Sequence, residues 1–254
     1  MDGEAVTATA VVIEDDDVVR DLLVDIFESA GFRAFGAVSG AEGIDAVAEH
    51  APLITTVDIN MPGIDGLETT RRIRDRSGTH IIVVSALTDE ADAVLALSSG
   101  ADDFVAKPFR AREFRARIDA VLRRAKTTPA VASGTAQASP AHTDGPLHHD
   151  DLMVDPATRI AERGGVELGL TRTEFDLLGA LLTTGRRVRT KEELVRVSRG
   201  EPADASSEVT DVEMRTIETH IAKLRRKLDE DPTNPRYIET VRGVGYRLTP
   251  GVAD

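Results

Sequence analysis

The sequence predicts an α/β region followed by a smaller α+β region, and three observations carry that expectation. In the first half, short and nearly continuous apolar runs alternate with helical patterns, as strands buried on both faces of a parallel sheet should. Between the halves lies KTTPAVASGTAQASPAHTDGP, residues 126–146, rich in Ala, Thr, Ser, Pro and Gly. It has no apolar period and reads as a flexible linker. After it come short strands joined by turns, three helical patterns and a closing hairpin. The expected regions are therefore 1–125, a linker at 126–148, and 149–254.

In the first region, strands are expected at 9–13, 32–36, 53–58, 80–85 and 102–106, and helices at about 18–30, 41–49, 67–76, 90–99 and 110–124. Ser39-Gly-Ala-Glu42 has the form of a capping box, and Asp65 can cap the third helix. Five strand–helix units with right-handed crossovers give a parallel, doubly wound sheet. In the second region, residues 152–170 read as short strands, and helices are expected at 172–184, 191–197 and 215–229. Thr171-Arg-Thr-Glu174 and Thr190-Lys-Glu-Glu193 are capping boxes. YIETVRGVGYRL, residues 237–248, is an expected hairpin turning at Gly243 and Gly245. Strands, three helices and a hairpin in that order describe a winged helix-turn-helix.

Composition narrows the function classes. There is no cysteine, which excludes disulfides and thiolate–metal sites and is compatible with a reducing cytoplasm. No apolar run is long enough to span a membrane, and MDGEAVTATA lacks the basic start of a secretory signal. The formal net charge is −13. It is unevenly spread: residues 1–125 hold 13 basic and 23 acidic side chains, whereas residues 151–254 hold 17 and 19. A near-neutral region still binds DNA if its bases cluster on one face, because phosphate responds to the local field.

Ligands of open α/β sheets bind outside the carboxyl ends of the strands. Those ends are expected to carry Glu14 and Asp15, Asp58, Ser85 and Lys107. Carboxylate oxygens suit Mg²⁺, and a carboxylate is also a nucleophile that can form an aspartyl phosphate. Asp58, at a strand end before a Pro/Gly loop, is placed for attack. In the second region, the helix expected at 215–229 has Ile217, Ile221, Leu224 and Leu228 on one face, and Thr216, Thr219, His220, Lys223, Arg226 and Lys227 on the other. A basic, polar face suits a major-groove recognition helix, and Arg242 beside Gly243 suits a tip entering a minor groove.

VIEDD (12–16), VDINMPGIDG (57–66), VVSA (83–86) and GADDFVAKPF (100–109) together resemble the receiver domain of two-component response regulators, a flavodoxin-like fold. The resemblance implies that Asp58 accepts phosphate from a sensor histidine kinase. It implies Mg²⁺ held by Glu14, Asp15, Asp58 and the Asn60 backbone carbonyl. Ser85 and Lys107 would meet the phosphoryl group, the Lys107–Pro108 peptide would be cis, and Phe104 would be a switch aromatic that moves inward. Asp103, Glu113 and Arg117 match a charged dimer face formed by the fourth helix, fifth strand and fifth helix. Relatives often carry Tyr where Phe104 stands, and a basic residue where Ala93 stands.

LTRTEFDLLGALL (170–182), RTIETHIAKLRRKL (215–228) and YIETVRGVGYRL resemble the winged-helix effector domain of the OmpR/PhoB subfamily. By that resemblance Thr216, Thr219 and Lys223 face bases, Arg215, Arg225 and Arg226 serve phosphates, and Arg242 serves the wing. The partners implied are double-stranded DNA, a second copy of the chain on activation, and RNA polymerase at the loop before the recognition helix. That loop, expected at 198–214, is long and acidic here. The function implied is a phosphorylation-controlled transcription factor rather than an enzyme.

Overall fold

The computed structural model describes residues 8–86, 90–126, 145–205 and 208–251, with only the backbone described at 90, 113 and 124–126. The chain divides into two compact units, Met1–Val121 and Leu122–Asp254. Of the expected linker, residues 127–144 lie outside the described residues.

The first unit alternates β1 (Thr9–Ile13), α1 (Asp17–Ser29), β2 (Arg33–Ala37), α2 (Gly40–His50), β3 (Ile54–Asp58), α3 (Gly66–Arg74), β4 (His80–Ser85), α4 (Glu90–Ser98), β5 (Asp103–Ala106) and α5 (Ala111–Lys126). The sheet has the order β2-β1-β3-β4-β5 with every pair parallel. Strand order reverses between β1 and β3, and the crevice for a ligand opens at such a reversal. Alternation along the strands feeds two cores. Val11, Ile13, Val57, Ile81 and Val83 meet Val47, Ile73 and Leu97 from α2, α3 and α4. On the α1–α5 side, Phe27 meets Phe32 and Phe114 edge-on, with centroids 5.5 and 5.9 Å apart.

The expected second strand was placed one residue early, for a reason visible at the end of α1. Gly31 has φ +84°, the Gly31 N–H reaches Glu28 O (2.9 Å) and the Phe32 N–H reaches Phe27 O (3.1 Å). That is a Schellman closure, so Phe32 belongs to the turn. At the opposite end of the sheet from the crevice, Arg74 pairs with the buried Asp102 and donates to Gly100 O (2.9 Å) and Thr79 O (3.0 Å). It ties α3 to the turn between α4 and β5.

The second unit opens with an antiparallel sheet of β6 (Leu147–His149), β7 (Leu152–Asp155), β8 (Ile160–Arg163) and β9 (Val166–Glu167). It continues through α6 (Arg172–Thr184), β10 (Arg189–Thr190), α7 (Lys191–Ser198), α8 (Asp211–Lys227), β11 (Ile238–Val241) and β12 (Gly245–Leu248). Leu177, Leu178, Leu181, Leu194, Ile217, Ile221, Leu224 and Leu228 knit the three helices around one core. The two hairpin glycines do different work. Gly243 turns the chain at φ +74°, whereas Gly245 already belongs to β12 and a Cβ there would overlap the Arg189 carbonyl where β10 pairs.

Helix α8 begins four residues before the expected start at 215, so the preceding loop is shorter than expected. Thr210 caps it reciprocally: the Thr210 N–H donates to Glu213 Oε2 (3.0 Å) and the Glu213 N–H to Thr210 Oγ1 (3.3 Å). Arg199 secures the loop from the other side through Glu213 and the Glu208 carbonyl (2.9 Å). Residues 206–207 of this loop lie outside the described residues.

Candidate functional site

The crevice between β1 and β3 is lined by acids. Asp58 closes β3, is 4% exposed, and takes the Asn60 N–H on Oδ2 at 2.8 Å. The loop beyond it folds back, with the Gly66 N–H on Ile59 O (3.0 Å), and a Cβ at Gly66 would overlap the Asp58 carbonyl. Only glycine lets α3 start that close to the strand end. Glu14 leaves β1 fully buried, and Lys107 leaves β5 to meet both acids: Nζ lies 2.7 Å from Asp58 Oδ1 and 2.9 and 2.7 Å from the two Glu14 oxygens. Burial opposes the Lys107 ammonium, but Asp58 and Glu14 outweigh it and hold the group above its ordinary value. Burial dominates at Glu14 and raises its carboxyl above the usual range, with Asp58 adding and Lys107 opposing.

Glu14, Asp15 and Asp58 each offer an oxygen, all within 4.8 Å of one another. A donor set of hard carboxylate oxygens, one of them destabilised as an anion by burial, fits Mg²⁺. The next two acids are assigned elsewhere. Asp16 caps α1, accepting the Val18 and Val19 N–H groups at 2.9 and 3.0 Å. Asp17 pairs with Arg20, whose Nη1 also holds the Glu14 carbonyl at 3.0 Å. Arg20 was not foreseen as part of this site. Its signal was its position one turn after the acid run.

In the second unit, α8 presents exposed Arg215 and Arg226, and the hairpin tip presents exposed Arg242. A basic helix beside a projecting hairpin is a candidate nucleic-acid interface.

Residues 10–119 match the family model described as response regulator receiver domain, and residues 165–248 match transcriptional regulatory protein, C terminal. Over 241 residues the chain is 35% identical to the DNA-binding response regulator MtrA of Mycolicibacterium smegmatis, covering 94% of this chain and 96% of that one. The chain belongs to the two-component response regulators. It is also 34% identical to MtrA of Mycobacterium leprae, over 94% and 97% of the two chains. A solved structure of a RitR mutant shares the fold with a TM-score of 0.68 over 96% of this chain and 100% of that one, at 20% identity. With its receiver and winged-helix units in this order, the response regulator is of the OmpR/PhoB subfamily, whose members are DNA-binding transcription regulators.

Several residues of the regulator sit differently from expectation. Phe104 is already packed in the core at 8% exposure, so an inward swing does not start from an exposed ring. A phenyl ring has no hydroxyl to keep at water. Ala93 is buried in the same core and does not stand on the surface as a gap in a charged face. Asp103 pairs with Arg117 of its own chain at 2.6 Å. The Glu113 side chain lies outside the described residues. Ser85 is fully buried at the end of β4, and the Lys107–Pro108 peptide is cis, as the resemblance implies.

On the DNA side two residues also sit differently from expectation. Arg225 does not face solvent: it is buried, donating to Ile238 O (2.7 Å) and Thr240 Oγ1 (2.8 Å) in β11. Lys223, expected at base edges, is buried at 7% exposure, and His220 at 1%. Charge patterning assigns such residues to the solvent side because it does not register what covers them. Thr216 and Thr219 stay partly accessible, but their hydroxyls are spent on Val212 O (3.1 Å) and Arg215 O (3.2 Å). Lys227 is drawn to Gly169 O and Glu174, each at 2.6 Å.

Proposed function

We propose that the regulator is switched by phosphorylation of Asp58, with a sensor histidine kinase as the donor. The observation that carries this is the convergence on one carboxylate of the Lys107 ammonium at 2.7 Å and the Asn60 N–H at 2.8 Å, beside two further acids. An Asp58 oxygen attacks the phosphorus of a phosphohistidine, the P–N bond breaks, and the imidazole leaves with the electron pair. Lys107 lies against Asp58 Oδ1 and is placed to balance the added charge. To do so it must loosen from Glu14, and Ser85 must turn toward the new group. These shifts bias the face of α4, β5 and α5.

Glu14, Asp15, Asp58 and the Asn60 carbonyl would hold Mg²⁺, which when bound offsets the charge on the phosphoryl oxygens. The α4–β5–α5 face, with Asp103, Glu113 and Arg117, would then form a homodimer on tandem DNA half-sites. Arg215 and Arg226 would meet phosphates, Thr216 and Thr219 base methyls, and Arg242 the minor groove. The loop between α7 and α8 would be the surface offered to RNA polymerase. Among the described residues no helix is long and apolar enough to cross a membrane.

Genomic binding-site mapping with wild type and Asp58→Asn tests the reading. Wild type is expected at a defined set of sites, with occupancy lost or sharply reduced in the variant. Equal occupancy for the two proteins would exclude control through Asp58.

A further inference from the structure

We infer that Arg225 and Glu230 form a joint that sets the position of the wing relative to helix α8, so that Arg225 governs DNA affinity without touching DNA. This rests on the proposed reading that the hairpin tip meets the duplex. The last turn of α8 carries three consecutive bases, Arg225, Arg226 and Lys227. Each residue rotates about 100° around the helix axis, which turns Arg226 outward and Arg225 toward the hairpin. Arg225 is only 8% exposed, which leaves little of its surface for a phosphate.

Its partners all belong to the wing or to the turn leading into it. Nη2 donates to Ile238 O (2.7 Å) and Thr240 Oγ1 (2.8 Å), and the guanidinium lies 5.7 Å from the Tyr246 ring centroid in the paired strand. Glu230, with a fully buried side chain, grips the same strand by its other polar groups: Oε1 accepts the Tyr237 N–H (2.5 Å) and the Ile238 N–H (2.9 Å). Ile238 is thus held by its carbonyl from Arg225 and by its N–H from Glu230. Arg225 Nε and Glu230 Oε2, buried and without other hydrogen bonds among the described residues, face each other at 3.7 Å.

The pair is internally neutral, so it adds no net attraction for phosphate. What it fixes is geometry. Thr240 lies two residues before Arg242, about 7 Å along an extended chain. An anchor at that distance governs where the exposed tip arginine stands. Removing either partner leaves a buried charge uncompensated and frees β11 to shift.

The experiment is a double-mutant cycle on the full-length protein, with a duplex selected by the wild-type chain from a random-sequence library as the probe. Arg242→Ala, Arg225→Lys, Glu230→Gln and the two doubles with Arg242→Ala are compared for affinity, after cooperative thermal unfolding shows each is folded. Lysine keeps the positive charge that a phosphate contact needs but cannot span two acceptors and a carboxylate. Arg225→Lys and Glu230→Gln are each expected to weaken binding roughly tenfold alone, and less than about twofold on top of Arg242→Ala. Glu230→Gln is the sharper arm, and it stands alone if Arg225→Lys does not fold. Loss of a negative charge acting through the field alone would tighten binding, whereas loss of a joint weakens it.

Equal weakening in both backgrounds would make Arg225 a direct contact and overturn the proposal. Wild-type affinity for Arg225→Lys, or tighter binding by Glu230→Gln, would overturn it too. If Arg242→Ala alone left affinity unchanged, the wing contact itself would fall, and the joint with it.

Discussion

The acid run at 14–17 stands where a strand passes into a helix, and the basic run at 225–227 stands in the last turn of a helix. Each places like charges side by side, and each buries one member against an opposite charge: Glu14 against Lys107, Arg225 beside Glu230. The outcomes differ. Glu14 faces a crevice shared with Asp58 and exposed Asp15, and burial raises its carboxyl, so a cation has something to relieve. Arg225 is taken up within the fold, by the Ile238 carbonyl, the Thr240 hydroxyl and the buried Glu230 carboxylate, and is only 8% exposed. The buried member of the acid run opens onto a crevice shared with like charges, whereas the buried member of the basic run is enclosed by a strand and an opposite charge. A third adjacent pair shows the same sorting. Asp102 is fully buried with Arg74 and accepts the Ile81 N–H at 3.0 Å, while Asp103 meets Arg117 nearer the surface.

These contrasts can be broken one neighbour at a time. The largest effect is expected at Asp15. Asp15→Ala should abolish Mg²⁺-dependent phosphorylation, followed by phosphate-affinity gel shift, while Asp17→Ala should leave it intact. Equal loss from both would erase the division of the acid run. Next comes the pair in the α4–β5 turn. Asp102→Ala leaves Arg74 without its buried partner and should cost about 3 kcal/mol in urea unfolding, whereas Asp103→Ala should cost about 1 kcal/mol or less. The smallest contrast is at the start of α1. Asp16→Ala removes an N-cap and should cost about 1 kcal/mol, and Asp17→Ala, which breaks only an exposed pair with Arg20, about 0.5 kcal/mol or less.

The receiver was more legible in the sequence than the DNA-binding unit, for physical reasons. Parallel strands buried on both faces are continuous apolar runs, and 9–13 and 80–85 were placed to the residue. The acidic, hydroxyl and amine positions follow from strand ends alone, because topology brings those ends together. In the second unit α6 was placed to the residue, on the strength of its capping box. The start of α8 lies earlier than expected although Thr210-Asp-Val-Glu213 is the same signal, because the apolar period that marks the helix begins only at Ile217. The burial of Arg225 is not legible, because a buried arginine and an exposed one have the same sequence signature. What separates them is Glu230 and the β11 groups, which lie five to fifteen residues further along the chain.

The central claim is that the β1–β3 crevice delivers a phosphoryl group to Asp58. Intact-protein mass spectrometry after incubation with a small-molecule phosphodonor tests it most directly, with and without Mg²⁺, on wild type and Asp58→Asn. The account predicts one added phosphoryl group on wild type with Mg²⁺, and none without the metal or on the variant. Equal uptake by Asp58→Asn would contradict it.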